Sequence, residues 1–310
     1  MKPSDATAQP PPAVWLGTLL GLLGVAVFAL TLPVTRLATG TSEAPQLSPW
    51  FVTWARCAIA GLLSLVFLGL TRSPRPNSEQ ARWIGLSLLG NALGYPLLLA
   101  WGLRHVGASH GAVITALLPL TTAAAAAWLL HQRARLSFWL YALLGSALVV
   151  VYSLLRAYGV GGTDADHGGL VWADGLLAAG VIAASFGYVA GAQVTPALGA
   201  ERVISWVCVM TLPLALPMTW WTWPEHSIRL SSWLALGYVG VFSMWAGFFA
   251  WFRGLAMGGA LRVSQLQLFQ PFISMAATVP LLGESIDGLT LAFGLAVVVT
   301  VFAGRKSLQP

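Results

Sequence analysis

The side chains of this chain that can do chemistry stand inside long apolar runs. Ser264, Gln267, Gln270 and Ser274 recur at spacings of three and four, with Pro271 among them, so a helix carries them as one polar stripe. Asn91 and Tyr95 are four apart and share a face, and Asp174, Ser185 and Tyr188 fall together on another run. Tyr238, Phe242, Trp245 and Phe249 form an aromatic stripe around Ser243, and Trp101, in the run that holds Asn91, joins them as a candidate contact. Amides and hydroxyls beside flat aromatic faces suit non-covalent recognition of a small amphipathic molecule. The same stripes also suit hydrogen bonding between helices and plain packing.

Charge inside the runs is scarce. Arg56 is equally suited to a substrate carboxylate, to snorkelling towards an interface and to a structural pair. Asp174 near one end of its run and His110 at the start of another are the titratable groups a proton-coupled carrier would need along its path. Two such shallow positions favour a facilitator or exchanger over tight proton coupling. Covalent catalysis finds no support, because the chain has no HExxH, no GxxxxGK[ST], no paired carboxylates within the runs and no Cys/His couple. An integral-membrane enzyme is the alternative this argues against. No cofactor and no metal are expected. Asp164 and Asp166, in the glycine-rich loop from Arg156 to Gly168, suit a solvated linker, and Cys57 and Cys208 read as core thiols.

The elements that must position these groups follow from composition. Of 310 residues only 8% are charged and 57% are hydrophobic, with a mean hydropathy of +0.76. That is too few charges to cover a water-soluble globule, so lipid is the expected partner of the surface. Ten apolar runs, about 14–36, 50–70, 83–103, 109–130, 136–155, 169–194, 203–223, 232–252, 259–282 and 287–304, approach the roughly 20 residues a spanning helix needs. Helix is required because hydrocarbon offers no water to unpaired backbone groups. The first run continues past signal-peptide length and lacks a basic leader, so it is read as a helix that stays. With the termini on one side, eleven of the sixteen Lys and Arg fall on that side and four on the other, which predicts cytoplasmic termini. Most of the fifteen tryptophans lie near run ends, as an interfacial belt does. The net charge of +6 is scattered singly and excludes a nucleic-acid surface, and no obligate protein partner is evident.

A shift of 152 residues lays Gly102–Leu130 on Gly254–Leu282 without a gap, and nine of 29 positions match, including Pro119 on Pro271. Prolines at one depth in two helices predict paired kinks. The same shift brings Asn91 onto Ser243. Five helices per half is odd, so the second half inserts upside down; the expected fold is an all-α integral membrane protein of ten transmembrane helices in two inverted five-helix repeats, 1–157 and 169–310, joined by 158–168. That architecture belongs to secondary transporters, with a central small-molecule site and alternating access.

Both halves also carry a short third-to-fourth loop, a mid-helix proline and a closing Leu-Leu, in Leu129-Leu130-His131-Gln132 and Leu281-Leu282-Gly283-Glu284. In these features the chain resembles the drug/metabolite transporter superfamily of the EamA type, departing from it where His131-Gln132 replaces the usual Gly-Glu. The resemblance implies a bacterial inner membrane location and, through a general likeness to aromatic amino acid exporters, export of amino acids or similar amphipathic metabolites. Carriers of drugs or nucleotide precursors are the alternative within it.

Overall fold

The computed structural model describes residues 11–130, 136–158, 170–258 and 265–306, so Ser264 and nearly all of the expected joint lie outside it. Ten helices run through the described residues: α1 (Pro11–Ala29 and Thr31–Thr39), α2 (Pro49–Leu70), α3 (Ser78–Ser87, Leu88–Gly94 and Tyr95–Gly102), α4 (Ala108–Thr115 and Leu118–Leu129) and α5 (Leu136–Ala157), then α6 (Leu170–Leu198), α7 (Ala200–Trp221), α8 (Leu230–Tyr238, Val239–Ala246 and Gly247–Gly258), α9 (Gln265–Phe269 and Gln270–Leu282) and α10 (Gly288–Lys306). Seven are long and apolar enough to cross a membrane by themselves. The apolar parts of α5, α9 and α10 are shorter, at Trp139–Tyr152, Leu266–Leu282 and Gly288–Gly304.

Helix interruptions trace to particular residues. Proline lacks an N–H, and its ring clashes with the carbonyl four residues back. Pro33 follows the break at Leu30, Pro119 follows the break after Thr115, and Pro271 follows the 3₁₀ turn Gln265–Phe269. The restarts at Leu118 and Gln270 are 152 residues apart, so the repeat seen in sequence is a repeat of kinks. Two wider π-helical stretches obey the same shift: Leu88–Gly94 in α3, ahead of Pro96, and Val239–Ala246 in α8. The cysteines support them. Cys57 of α2 donates to the Ala92 carbonyl at 3.1 Å and Cys208 of α7 to the Met244 carbonyl at 3.9 Å, pseudo-equivalent positions on pseudo-equivalent bulges.

Helix pairing repeats the symmetry. α1 packs along α8 as α6 packs along α3, α4 meets α6 as α9 meets α1, and α2–α7, α4–α9 and α5–α10 pair across the two-fold relation. Backbones approach closely at the long seams. A Cβ on Gly254 of α8 would lie 2.6 Å from the Gly21 nitrogen of α1, and one on Gly187 of α6 would lie 2.6 Å from the Asn91 Oδ1 of α3. Small residues of this kind let helices associate where lipid supplies no hydrophobic drive.

These seams set an expectation. Gly254→Ala should destabilise the folded protein by about 1–3 kcal/mol, the usual range for overpacking. Gly69→Ala, whose Cβ meets nothing within 4 Å, should leave the unfolding midpoint in mild detergent where it was. Equal midpoints for the two variants would show that the seam is not tight.

Candidate functional site

The symmetry fails at the two ends of the bundle. On the face opposite the chain termini, the Thr31–Thr39 segment of α1 packs against the end of α3 and the start of α4. The counterpart packing, of the end of α6 against α8, is absent from the close helix pairings of the described residues. A cavity of about 780 Å³ lies there instead and reaches Leu130 at the end of α4, Pro196 and Gly199 at the end of α6, and Ala200 at the start of α7. Phe28, Phe248, Trp251 and Tyr188 give it aromatic walls, while Asn91, Gln193, Gln267 and Thr122 present amides and a hydroxyl. Asn91 is held from within its own helix, donating to Ser87 Oγ at 3.1 Å, and its Oδ1 has no hydrogen-bond partner among the described residues.

Of the residues singled out by spacing, Asn91, Tyr188 and Gln267 line this cavity. Gln270, with Pro119 and Pro271, borders a small crevice of about 20 Å³ beside the paired kinks, which Gln267 also touches. Ser185 is buried against α4, where its hydroxyl shares a 2.7 Å hydrogen bond with Thr121. Tyr95 packs against the buried clusters around α4 and α6. Trp101 sits near the end of α3, away from the cavity lining. The aromatic stripe of α8 splits: Tyr238 donates to the Val27 carbonyl at 3.0 Å and stacks on the exposed Phe242, while Trp245 meets Phe67 edge-on, Phe249 meets it at a tilt, and the Trp245 indole donates to Ser205. The π-helical stretch causes the split. Its extra residue per turn rotates the remainder of the helix, so Phe248 and Trp251, not Trp245 and Phe249, face the cavity. Spacing counted at 3.6 residues per turn misses them for that reason.

One turn beyond Phe28, Thr31 and Ser243 share a 2.8 Å hydrogen bond, and Arg56 of α2 donates to the same Ser243 at 3.3 Å. Arg56 is 3% exposed, and its Nε and Nη1 have no hydrogen-bond partner among the described residues. A guanidinium keeps its charge, and a charge without a partner at this depth is costly. Its donors suit an anion.

The opposite face is sealed by ionic and backbone bonds. Gly283 ends α9 with a left-handed φ of 69° and turns the chain so that Glu284 reaches α4. The Glu284 carboxylate accepts from the Ala108 nitrogen at 2.8 Å, the Ser109 nitrogen at 3.0 Å and the Ser109 hydroxyl at 2.8 Å. Gly107, the residue before α4, has no side chain to cap the helix, so a carboxylate from the other half does it. Arg36 lies 3.5 Å from the same carboxylate and donates to the Leu103 and Val106 carbonyls. Gln46 and Leu47 donate back to Thr39 and Ala38, closing the loop after α1 over this end. Burial, and then the neighbouring Arg104 and Arg36 guanidiniums, hold His105 in the adjoining loop below the ordinary histidine value. Asp174 and His110, far apart in sequence, meet just behind the seal with His110 Nε2 2.6 Å from Asp174 Oδ1.

The sequence profile of the EamA-like transporter family matches the chain twice, over residues 15–154 and 171–303. The chain is 36% identical over 292 residues to the uncharacterized transporter YdeK of Bacillus subtilis (strain 168), spanning 94% of this chain and 97% of that one. A solved structure described as "Crystal structure of protein" superposes over 93% of this chain and 95% of its own, with a TM-score of 0.60 and 22% identity, a likeness of fold alone.

The seal can be tested directly. Hydrogen bonds to a charged group contribute about 1.5–3 kcal/mol each, so Glu284→Gln should raise exposure of this face about ten-fold or more. A cysteine in place of Thr35, which is fully buried, reports it in a background lacking Cys57 and Cys208. Maleimide labelling should be slow with Glu284 present and at least about ten-fold faster with Gln, by the same bond energies. Equal rates would remove the carboxylate from the seal.

Proposed function

Because the chain belongs to the EamA-like transporter family and is a multi-pass membrane protein, we propose that it carries small carboxylate-bearing amphipathic solutes, aromatic amino acids first among them, by alternating access through the cavity between its halves. One observation carries this reading: a cavity of about 780 Å³ is lined by Phe28, one turn of α1 before Thr31, and the Ser243 hydroxyl that Thr31 meets also accepts from a buried arginine whose Nε and Nη1 have no partner among the described residues. The volume is that of a small-molecule site, and aromatic walls with a few amides are the lining such sites have.

Pseudo-symmetry supplies the route. Asn91 and Ser243 occupy matching bulges, the first open to the cavity and the second closed against Thr31 and Arg56. A solute lying between them meets Tyr188, Asn91 and Gln267 from one side and Arg56 from the other. Rocking of the halves 1–157 and 169–310 about the paired kinks then trades the open end for the sealed one. The eleven-to-four division of basic residues supports cytoplasmic termini, and with them a cavity that opens on the cytoplasmic side. An inner-membrane exporter loads from that side. A carrier of this kind needs no reactive constellation.

The test is counterflow of radiolabelled aromatic amino acids in proteoliposomes. Saturable exchange is expected, with Asn91→Ala and Gln267→Ala raising the half-saturating concentration about ten-fold, the loss of one bond to a charged ligand. Arg56→Gln should abolish exchange, and Arg56→Lys should retain part of it. Absence of exchange for every amino acid would remove the substrate class.

A further inference from the structure

We infer that the crevice beside the paired kinks of α4 and α9 binds a sodium ion, and that the ion tightens solute binding through Gln267. The site stands on geometry; its tie to the solute deepens the transport reading and rests on it. The crevice, of about 20 Å³, has room for one particle the size of a water molecule. Apolar side chains of α1, α4, α9 and α10 wall it, and its polar lining is Thr115, Gln267, Gln270 and Ser274.

The prolines make this a site of oxygen atoms. A helical carbonyl is taken by the N–H four residues on, and four residues beyond Thr115 and Gln267 stand Pro119 and Pro271, which have none. The 152-residue repeat thus leaves one such carbonyl in each half, both on residues that line the crevice. The N–H groups of Ala116 and Leu117 go to the Ala112 and Ile114 carbonyls at 3.1 and 3.2 Å, and those of Leu120 and Thr121 both go to the Leu117 carbonyl at 3.0 Å. With these engaged, the break offers mainly oxygen. The segment Ala108–Thr115 also ends here with the negative pole of its dipole.

The side chains agree. Thr115 donates its hydroxyl proton to the Ala112 carbonyl at 3.2 Å, so it meets a ligand as an acceptor. Ser185, Thr195 and Thr211 likewise donate to the carbonyl four residues back. Ser274 is 1% exposed, and its hydroxyl has no hydrogen-bond partner among the described residues. A buried hydroxyl left unpaired is costly, and this one borders the crevice. Carbonyls freed in broken helices hold sodium in secondary transporters. A neutral set of carbonyl, hydroxyl and amide oxygens suits a monovalent ion, whereas calcium draws on carboxylates.

Gln267 lines both the crevice and the 780 Å³ cavity. An amide that ligates the ion through its oxygen turns its N–H groups to a solute carboxylate. The carboxylate in turn supplies the charge that a buried cation needs nearby. Ion and solute therefore raise each other's affinity by the same factor. Ser274 and Gln270 are not among the residues lining the solute cavity, so they report on the ion separately.

The experiment is equilibrium binding of radioactive sodium to the purified full-length protein in detergent, without solute and with choline holding the ionic strength. Saturable binding of one ion per chain is expected. Ser274→Ala and Gln270→Leu should each weaken it about ten-fold or more, the loss of one bond to a charged group. Ser274→Ala should lower the unfolding midpoint in sodium and not in choline, which a serine that only packs would not do. No saturable binding, or binding unchanged in both variants, overturns the inference and leaves the crevice to water. In proteoliposomes, choline in place of sodium on both sides should raise the half-saturating solute concentration about ten-fold in the wild type and less in Ser274→Ala. Equal concentrations in the two cations overturn the tie to the solute. If no amino acid exchanges, the solute reading fails while sodium binding in detergent still decides the site.

Discussion

The contact on which the rest of the arrangement hangs is the Glu284 carboxylate at the N-terminus of α4. A helix start leaves its first backbone N–H groups unpaired within the helix, and a partner must come from elsewhere. Gly107 offers α4 no cap, and Glu284 supplies one from the other half, 176 residues away from Ala108. Arg36 completes the charge. One carboxylate thereby joins α1, α4 and the end of α9 and closes one end of the bundle. The cavity opens at the other end because close packing of α6 on α8 is missing there among the described residues.

The repeat also settles how the membrane-embedded backbone is kept satisfied where its helices break. Each half carries a kink before a proline and a wider stretch one helix earlier, and each wider stretch receives a thiol from the neighbouring helix, Cys57 to Ala92 and Cys208 to Met244. Breaks of this kind place side chains such as Asn91 and Ser243 at the centre of the bundle. They also change which side chains face it. After Val239–Ala246, Phe248 and Trp251 occupy the cavity wall in place of Trp245 and Phe249.

Much was legible in the chain alone, for a physical reason. Hydrocarbon forces a long apolar run to be helical whatever its neighbours are, so composition and run length determined the class and the ten helices. The 152-residue shift determined the paired kinks at Pro119 and Pro271, because proline acts on its own helix. Gly283-Glu284 stood out as a motif, and Asn91, Tyr188 and Gln267 were reachable from α-helical spacing. The features that only the tertiary structure decided depend on partners distant in sequence or on a change of helical pitch. Hydropathy does not say that Glu284 caps α4, that Arg56 shares Ser243 with Thr31, or that His110 meets Asp174 across 64 residues. Nor does a fixed period of 3.6 reveal a π-helical turn, which arises from packing and rotates every face beyond it.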